Sequence, residues 1–187
     1  TFGNADVGTF KLGRDYGLFG ATAILSDMTL VGAGAPVKAT QGNRVTLGHI
    51  GAGYSYLGHY GQIGYTLPAL GDFSLSLAVM SPVEPYANAT ATAGKTPQLQ
   101  ALGTLKLGSA GKVWLGVKSQ KFDGATYTDS QGVQQTGKAF TMSGTEIGAS
   151  YTLGALSLLG NVQMGKGLGV LADGDNGDQK QINTLLQ

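Results

Sequence analysis

Cysteine is absent from the 187 residues, which excludes disulfide staples, thiolate nucleophiles and Cys-ligated zinc. Charge is scarce. Asp, Glu, Lys and Arg make up 12% of the chain, against roughly 25% in ordinary soluble domains. The signs nearly cancel, with 12 basic and 11 acidic residues. A nucleic-acid binder held by phosphate neutralisation needs a basic excess that is missing here, and the same balance excludes an acidic solvating tail. No run of about 18 apolar residues occurs, so no helix is expected to cross a membrane. No signal peptide is recognisable at Thr1-Phe2-Gly3. An exported protein would therefore be represented by its mature chain or by a fragment.

Against these gaps, glycine is abundant at 32 residues while proline is held to 5. Low charge with high glycine suits a disordered chain, but 42% apolar residues, with 8 Tyr and 6 Phe, argue for a folded one. The polar remainder is mostly Ser, Thr, Gln, Gly and Asn. That is the composition of a wall with one wet face and one apolar face.

The chain opens with a strand over 6–14, in which Val7, Thr9, Phe10 and Leu12 carry no helical stripe. It breaks at Gly13-Arg14-Asp15-Tyr16-Gly17 into a connection spanning 15–58, which holds a short helix candidate, Ala21 to Met28, and a possible extended piece at 43–48. A connection of roughly forty residues is too long for a passive linker in a compact domain. Beyond it the pattern becomes regular, with segments at 59–68, 73–82, 97–108, 113–121, 143–153, 156–166 and 179–187. Phe73, Leu75, Leu77 and Val79 alternate with Ser74, Ser76, Ala78 and Met80. Ile147, Ala149, Tyr151 and Leu153 alternate in the same way with Glu146, Gly148, Ser150 and Thr152. Trp114 falls on the polar parity of its segment, which the alternation does not account for.

The connections alternate in length. Short turns follow Pro68, Leu107 and Leu153, and long loops follow Arg14, Pro82, Lys121 and Gly167. All short turns therefore lie at one end of an up-and-down sheet and all long loops at the other. Ten-residue alternating segments with this asymmetry are the signature of an outer-membrane β-barrel, whose apolar face meets lipid. The expected fold is all-β: a transmembrane antiparallel up-and-down β-barrel with a long inward-folded constriction loop. Eight strands alone close a barrel filled by its own side chains, with no room for a forty-residue loop. The eight segments are therefore expected to be the middle of a larger barrel, the first without an N-terminal partner and the last without a C-terminal one.

The stretch Asp6-Val7-Gly8-Thr9-Phe10-Lys11-Leu12-Gly13-Arg14-Asp15-Tyr16-Gly17 resembles the general trimeric porins of Gram-negative bacterial outer membranes. That family ends the strand before its constriction loop with a similar D-V-G-[ST]-F-x-x-G-R-x-Y-G. Ser26-Asp27-Met28 resembles the Thr-Asp-Met inside that loop. The resemblance implies about eight strands, the fifth to twelfth, of a roughly sixteen-stranded porin barrel. It also implies a homotrimer in contact with outer-membrane lipid and lipopolysaccharide. The function it implies is passive diffusion of small hydrophilic solutes and ions, without cofactor, metal or catalysis. Arg14 matches the family's pore-wall arginine. After Asp27-Met28 the porins carry Leu-Pro-Glu-Phe-Gly-Gly, whereas this chain has Thr29-Leu30-Val31-Gly32-Ala33-Gly34, and Val31 stands where the glutamate would be. Between Leu18 and Gly58 the only acid is Asp27, against Lys38 and Arg44. The transverse field is expected to be weak, with a mild anion preference or little selectivity.

The candidate pore-lining residues are accordingly Arg14, Asp27, Lys38 and Arg44 around the constriction, with Lys11, Lys106, Lys118 and Glu146 on the polar faces of strands. A lysine on the lipid face at mid-membrane would cost about 2–4 kcal/mol, so these positions are expected to face water. Phe73 and Tyr151, on apolar faces next to short turns, suit an aromatic girdle. His49, His59 and Ser55 have nothing to orient them as a catalytic triad. Gly165-Lys166-Gly167-Leu168-Gly169 leads into an acidic loop and lacks the Ser or Thr of a phosphate loop. Other readings stay open: a substrate-specific channel, a barrel adhesin or receptor acting through its outer loops, and a soluble or surface β-sandwich or β-fibre.

Overall fold

Period-two alternation has only one regular solution, the strand, and the chain adopts it almost throughout. The computed structural model describes residues 1–30 and 48–187. Its strands are β1 (Phe2–Asn4), β2 (Gly8–Tyr16), β3 (His59–Thr66), β4 (Phe73–Met80), β5 (Ala91–Ala93) and β6 (Gln98–Leu107), followed by β7 (Gly111–Gly124), β8 (Thr126–Thr128), β9 (Gln134–Thr136), β10 (Phe140–Leu153), β11 (Leu156–Lys166) and β12 (Lys180–Leu186). A short helix, α1 (Ala21–Ser26), lies between β2 and β3. The main sheet is antiparallel, in the order β1-β2-β3-β4-β6-β7-β10-β11-β12, with β5 added alongside β7. The chain is thus all-β and up-and-down. Among the described residues the two edges, β1 and β12, do not pair with each other, and no closed barrel forms.

Three expectations are corrected. The first segment does have an N-terminal partner: Phe2 pairs with Phe10 and Asn4 with Gly8. The reason is a local turn in which the Asn4 side chain accepts the N–H groups of Asp6 and Val7. The stretch 122–141 is less loop than its polarity suggests. β7 and β10 run on to meet at Phe122 and Phe140, whose rings stack at 5.0 Å. Between them β8 and β9 form a separate hairpin, with Asp129 accepting the N–H groups of Gln131 and Val133. The Val133 bond, with that from Gln135 Nε2 and the one from Gln131, holds the half-exposed Asp129 carboxyl below its ordinary pKa. The helix is also shorter than the Ala21–Met28 candidate. It stops at Asp27, whose backbone is extended.

The register assembles two opposite faces. One row across the sheet reads Phe10, Tyr65, Leu77, Ala101, Val117, Thr145, Met164 and Ile182. This face is open to the surroundings: Ile63 is 61% exposed and Ile147 55%. Phe73 and Tyr151 lie on it beside the short turns, both exposed. On the other face Gln98, Gln163 and Glu146 are 0% exposed. Polar groups are covered and apolar groups bare, the inverse of a water-soluble domain.

The covered face is dented by glycines. A Cβ on Gly148 would come within 2.0 Å of the Trp114 ring, and one on Gly116 within 2.6 Å of the Glu146 carboxylate. Bulky side chains lie flat over these positions, so the sheet can accept a second layer. Gly148→Ala is therefore expected to cost roughly 1–3 kcal/mol by overpacking. Gly160→Ala, whose new methyl meets only Leu186 at 3.6 Å, is expected to stay within about 0.5 kcal/mol. Chemical-denaturation midpoints of the two variants test the contrast.

Candidate pore wall and constriction

The second layer is made of loops. Residues 17–30 and 48–58 lie on the polar face, and their base is closed by the Gly17 N–H donating to the Gly58 carbonyl at 3.1 Å. A loop crossing a sheet forms no ladder, so its backbone N–H groups need other acceptors. The wall supplies them. Gln100 Oε1 accepts the N–H groups of Leu18 and Phe19 at 2.7 and 2.9 Å. Glu146 Oε1 accepts Gly20 N–H at 2.9 Å, and Gln163 Oε1 accepts Ser55 N–H at 2.7 Å. Gln163 Nε2 then donates to Glu146 Oε2 at 3.0 Å, joining the last two anchors.

Trp114 finds its reason here. With Leu159 and Leu185, and the partly buried Leu102, it forms an apolar pad on the polar face. Ala23, Ile50 and Tyr54 are buried against that pad, and Ile24 packs on it. The misplaced apolar residues of β6, β7, β11 and β12 are thus the seat of α1 and of the returning strand of the loop. The signal for this site was the exception to the alternation.

Asp27 is the knot of the loop. Its carboxylate accepts Tyr54 Oη at 2.7 Å, His49 N–H at 2.8 Å, Thr29 N–H at 2.9 Å, Thr29 Oγ1 at 2.8 Å and Gln187 Nε2 at 2.9 Å. Gln187 in turn accepts Met28 N–H. Burial works to raise the Asp27 pKa. The bonds from His49, Tyr54 and Thr29 outweigh it and hold the carboxyl well below the ordinary carboxylate value. Burial, reinforced by the Asp27 charge, pushes the Tyr54 phenol up. Asp27, a candidate constriction acid, is engaged as a structural acceptor and is only 7% exposed.

The other candidates fall into different settings. Lys118 and Glu146 lie on the polar face, as their parity requires, but sealed beneath the loops. Lys118 Nζ pairs with Asp173 and sits 4.7 Å from the centre of the Phe19 ring. Lys11 pairs with Asp15 at 2.6 Å. Lys106 lies at the short-turn end, opposite Lys112. Arg14 keeps the parity of Leu12. The register runs through Gly13 without a bulge, although Gly13 has a φ of 120°. The Arg14 side chain is exposed and makes no ion pair among the described residues. It lines a cleft of about 220 Å³ with Tyr56, His59, Glu84 and Asp173. Lys38, Arg44 and the extended piece at 43–48, save its last residue, lie outside the described residues.

Sequence reasoning missed Asp173, Gln98, Gln100 and Gln163. The alternation marks the three glutamines as polar-face residues, but nothing local marks them as acceptors for a distant loop. Compared with known protein families, with characterised proteins and with solved structures, the chain matches none.

Asp27→Asn is expected to loosen the knot by roughly 1.5–3 kcal/mol, the value of a hydrogen bond to a charged group. Hydrogen exchange at the His49 and Thr29 amides, expressed as protection factors, reads this out. The sign with pH follows from a lowered folded pKa. The carboxylate's contribution is complete above the unfolded value of about 3.9 and is lost only as pH falls through the lower folded value. Protection is thus expected to persist between neutral pH and about 4. A fall in protection within that range would contradict the assignment.

Proposed function

We propose that this chain is part of an outer-membrane β-barrel channel of the general-porin kind, passing small hydrophilic solutes and ions by diffusion. The observation that carries the reading is the inversion of the sheet's two faces. A continuous apolar face stands bare while Gln, Lys, Glu and Asn side chains are turned the other way. Lipid on one side and a wet, loop-narrowed interior on the other is the environment in which this arrangement is stable. In this reading residues 15–58 are the constriction loop. The D-V-G-T-F-x-x-G-R-x-Y-G stretch and its resemblance to trimeric porins add the expectation of a homotrimer in contact with lipid and lipopolysaccharide.

Charge bookkeeping then bears on selectivity. Asp27 is consumed in the loop knot, and Glu146 is bonded to the loop. Lys118 is neutralised by Asp173. Arg14, on the parity of the apolar face but lining a cleft at the strand end, makes no ion pair among the described residues and shares that cleft with Glu84, so only a mild preference for anions is expected. The covering of the polar face by loops is the observation that favours a narrower alternative, a channel for one class of substrate.

The test is single-channel recording on the full-length protein in a planar bilayer, with Arg14→Ala alongside. Ohmic steps are expected, with a reversal potential that moves toward cations in the variant. Steps indifferent to Arg14→Ala would keep the channel and remove Arg14 from its constriction. A correctly folded barrel that gives no steps would sink the diffusion reading in favour of an adhesin or receptor.

A further inference from the structure

The segment between β11 and β12, residues 167–179, reads in the sequence as one more outer loop. In the structure it turns back over the polar face. Gly167 N–H donates to the Gln179 carbonyl at 2.9 Å, which closes its base, and Gly174 N–H donates to the Gly167 carbonyl at 2.8 Å. Ends this close with an internally packed body define a compact surface loop of the Ω type. Leu168 is buried among Phe19, Phe122, Phe140 and Met142. Asp173 is 3% exposed. Its carboxylate meets three wall strands at once: Tyr60 Oη of β3 at 3.0 Å, Gln98 Nε2 of β6 at 3.0 Å, and the Lys118 ammonium of β7.

We propose that residues 167–179 form a strap, locked onto the wall by Asp173, whose release widens the passage beside Arg14. The proposal rests on the channel reading. Its physical core is the burial of the Lys118–Asp173 pair. The Lys118 side chain is fully buried, and Asp173 is the one acid within ion-pair distance among the described residues. The nearest competitor, Glu146, has its oxygens engaged by Gly20 and Gln163. A buried cation that loses its paired carboxylate is strongly disfavoured, so the lock is tight while intact and abrupt when broken. No ladder joins the strap to the strands it crosses; away from the lock it is tied to other loops, by Tyr56 N–H to the Val170 carbonyl and Ser55 Oγ to the Gly169 carbonyl, and by Tyr86 and Ala87 N–H to Asp175 and Asn88 Nδ2 to the Gly174 carbonyl. Leu171, Ala172 and Asp173 make one wall of the cleft that holds Arg14. When the strap lifts, that wall goes with it.

The absence of cysteine allows a clean reporter. Ala172→Cys is introduced into the full-length protein, and its reaction with a membrane-impermeant maleimide is timed in the parental background and in Lys118→Met, Asp173→Asn and Tyr60→Phe. Single-channel conductance is recorded for the same set. Labelling at least tenfold faster in Lys118→Met and Asp173→Asn is expected, with a smaller increase in Tyr60→Phe and larger conductance steps in all three. Tyr60→Phe removes one hydroxyl without changing shape, so it keeps the test usable if the charge variants fail to fold. Unchanged labelling rates overturn the lock. Faster labelling with unchanged conductance in a conducting protein overturns the gate. A parental protein that never conducts brings down the channel reading instead, and the labelling rates report the lock separately.

Discussion

The structure depends on one requirement, to which Trp114 Nε1 and the Asn161 amide are exceptions among the described residues: polar groups shut between the sheet and its loops must find partners there. A buried donor or acceptor left alone costs roughly 1–3 kcal/mol, and a loop crossing a sheet brings many of them. The wall answers with long side chains whose oxygens reach past the strand backbone. Gln100, Glu146 and Gln163 take the N–H groups of the first loop, and Gln120 takes that of Val83 while donating to the Val83 carbonyl. The loop path is therefore written on the wall. Leu18 and Phe19 stop over β6 because Gln100 stands there, and Gly20 over β10 because of Glu146. Gly20 has a φ of 82°, and a Cβ on it would come within 3.2 Å of the Ser55 carbonyl. A side chain at this point would lift the N–H off its carboxylate.

The same requirement explains how the few charges are spent. Asp27, Glu146 and Asp173 are all at most 7% exposed, and each gathers donors from segments far apart in the chain. Asp27 ties α1 to the segment at His49–Tyr54 and to the chain end at Gln187. Asp173 ties the strap to three strands. A carboxylate offers about four acceptor sites on a short stem, so one acid fastens what would otherwise need several neutral groups. In an interior built this way, a low charge count goes with a tightly fastened one. In the channel reading, selectivity then falls to the charges left over, among them Arg14 and Glu84, which share one cleft.

The strands and their faces were readable because period-two alternation is local. Phe73 to Met80 and Ser143 to Leu153 each announce both strand and face within a single short segment. The pairing order follows from the turns, since a connection as short as Gly154-Ala155 admits only a hairpin. The candidate site was readable only in part. Trp114 and Leu159 look like errors in the polar pattern until α1 is seated on them. The roles of Asp27 and Asp173 depend on partners up to 160 residues away along the chain, a distance over which composition and spacing carry no signal. The inward turn of residues 167–179 had no local mark either, because an acidic, glycine-rich segment reads equally as an outer loop. The hairpin of β1 with β2 was missed because its one signal, Asn4 capping its own turn, is weak beside a three-residue strand.

The apolar face sets the final constraint. Bare Leu, Ile, Val and Phe side chains run across the sheet from β2 to β12, a contiguous apolar surface of the kind that marks an interaction or membrane face. Each such side chain left in water forgoes about 1.5–3 kcal/mol relative to burial. The polar face has loops to cover it, whereas among the described residues the apolar face has none. An apolar solvent resolves this, but it raises a second demand. The outer edges of β1 and β12 carry unpaired backbone groups, and in hydrocarbon each would cost several kcal/mol. Water makes the edges tolerable and the face costly, while lipid does the reverse. In the channel reading the two demands are met together when both edges are paired and the sheet closes. The apolar face and the barrel's closure are then one condition: lipid that accepts the face also demands that the edges be paired.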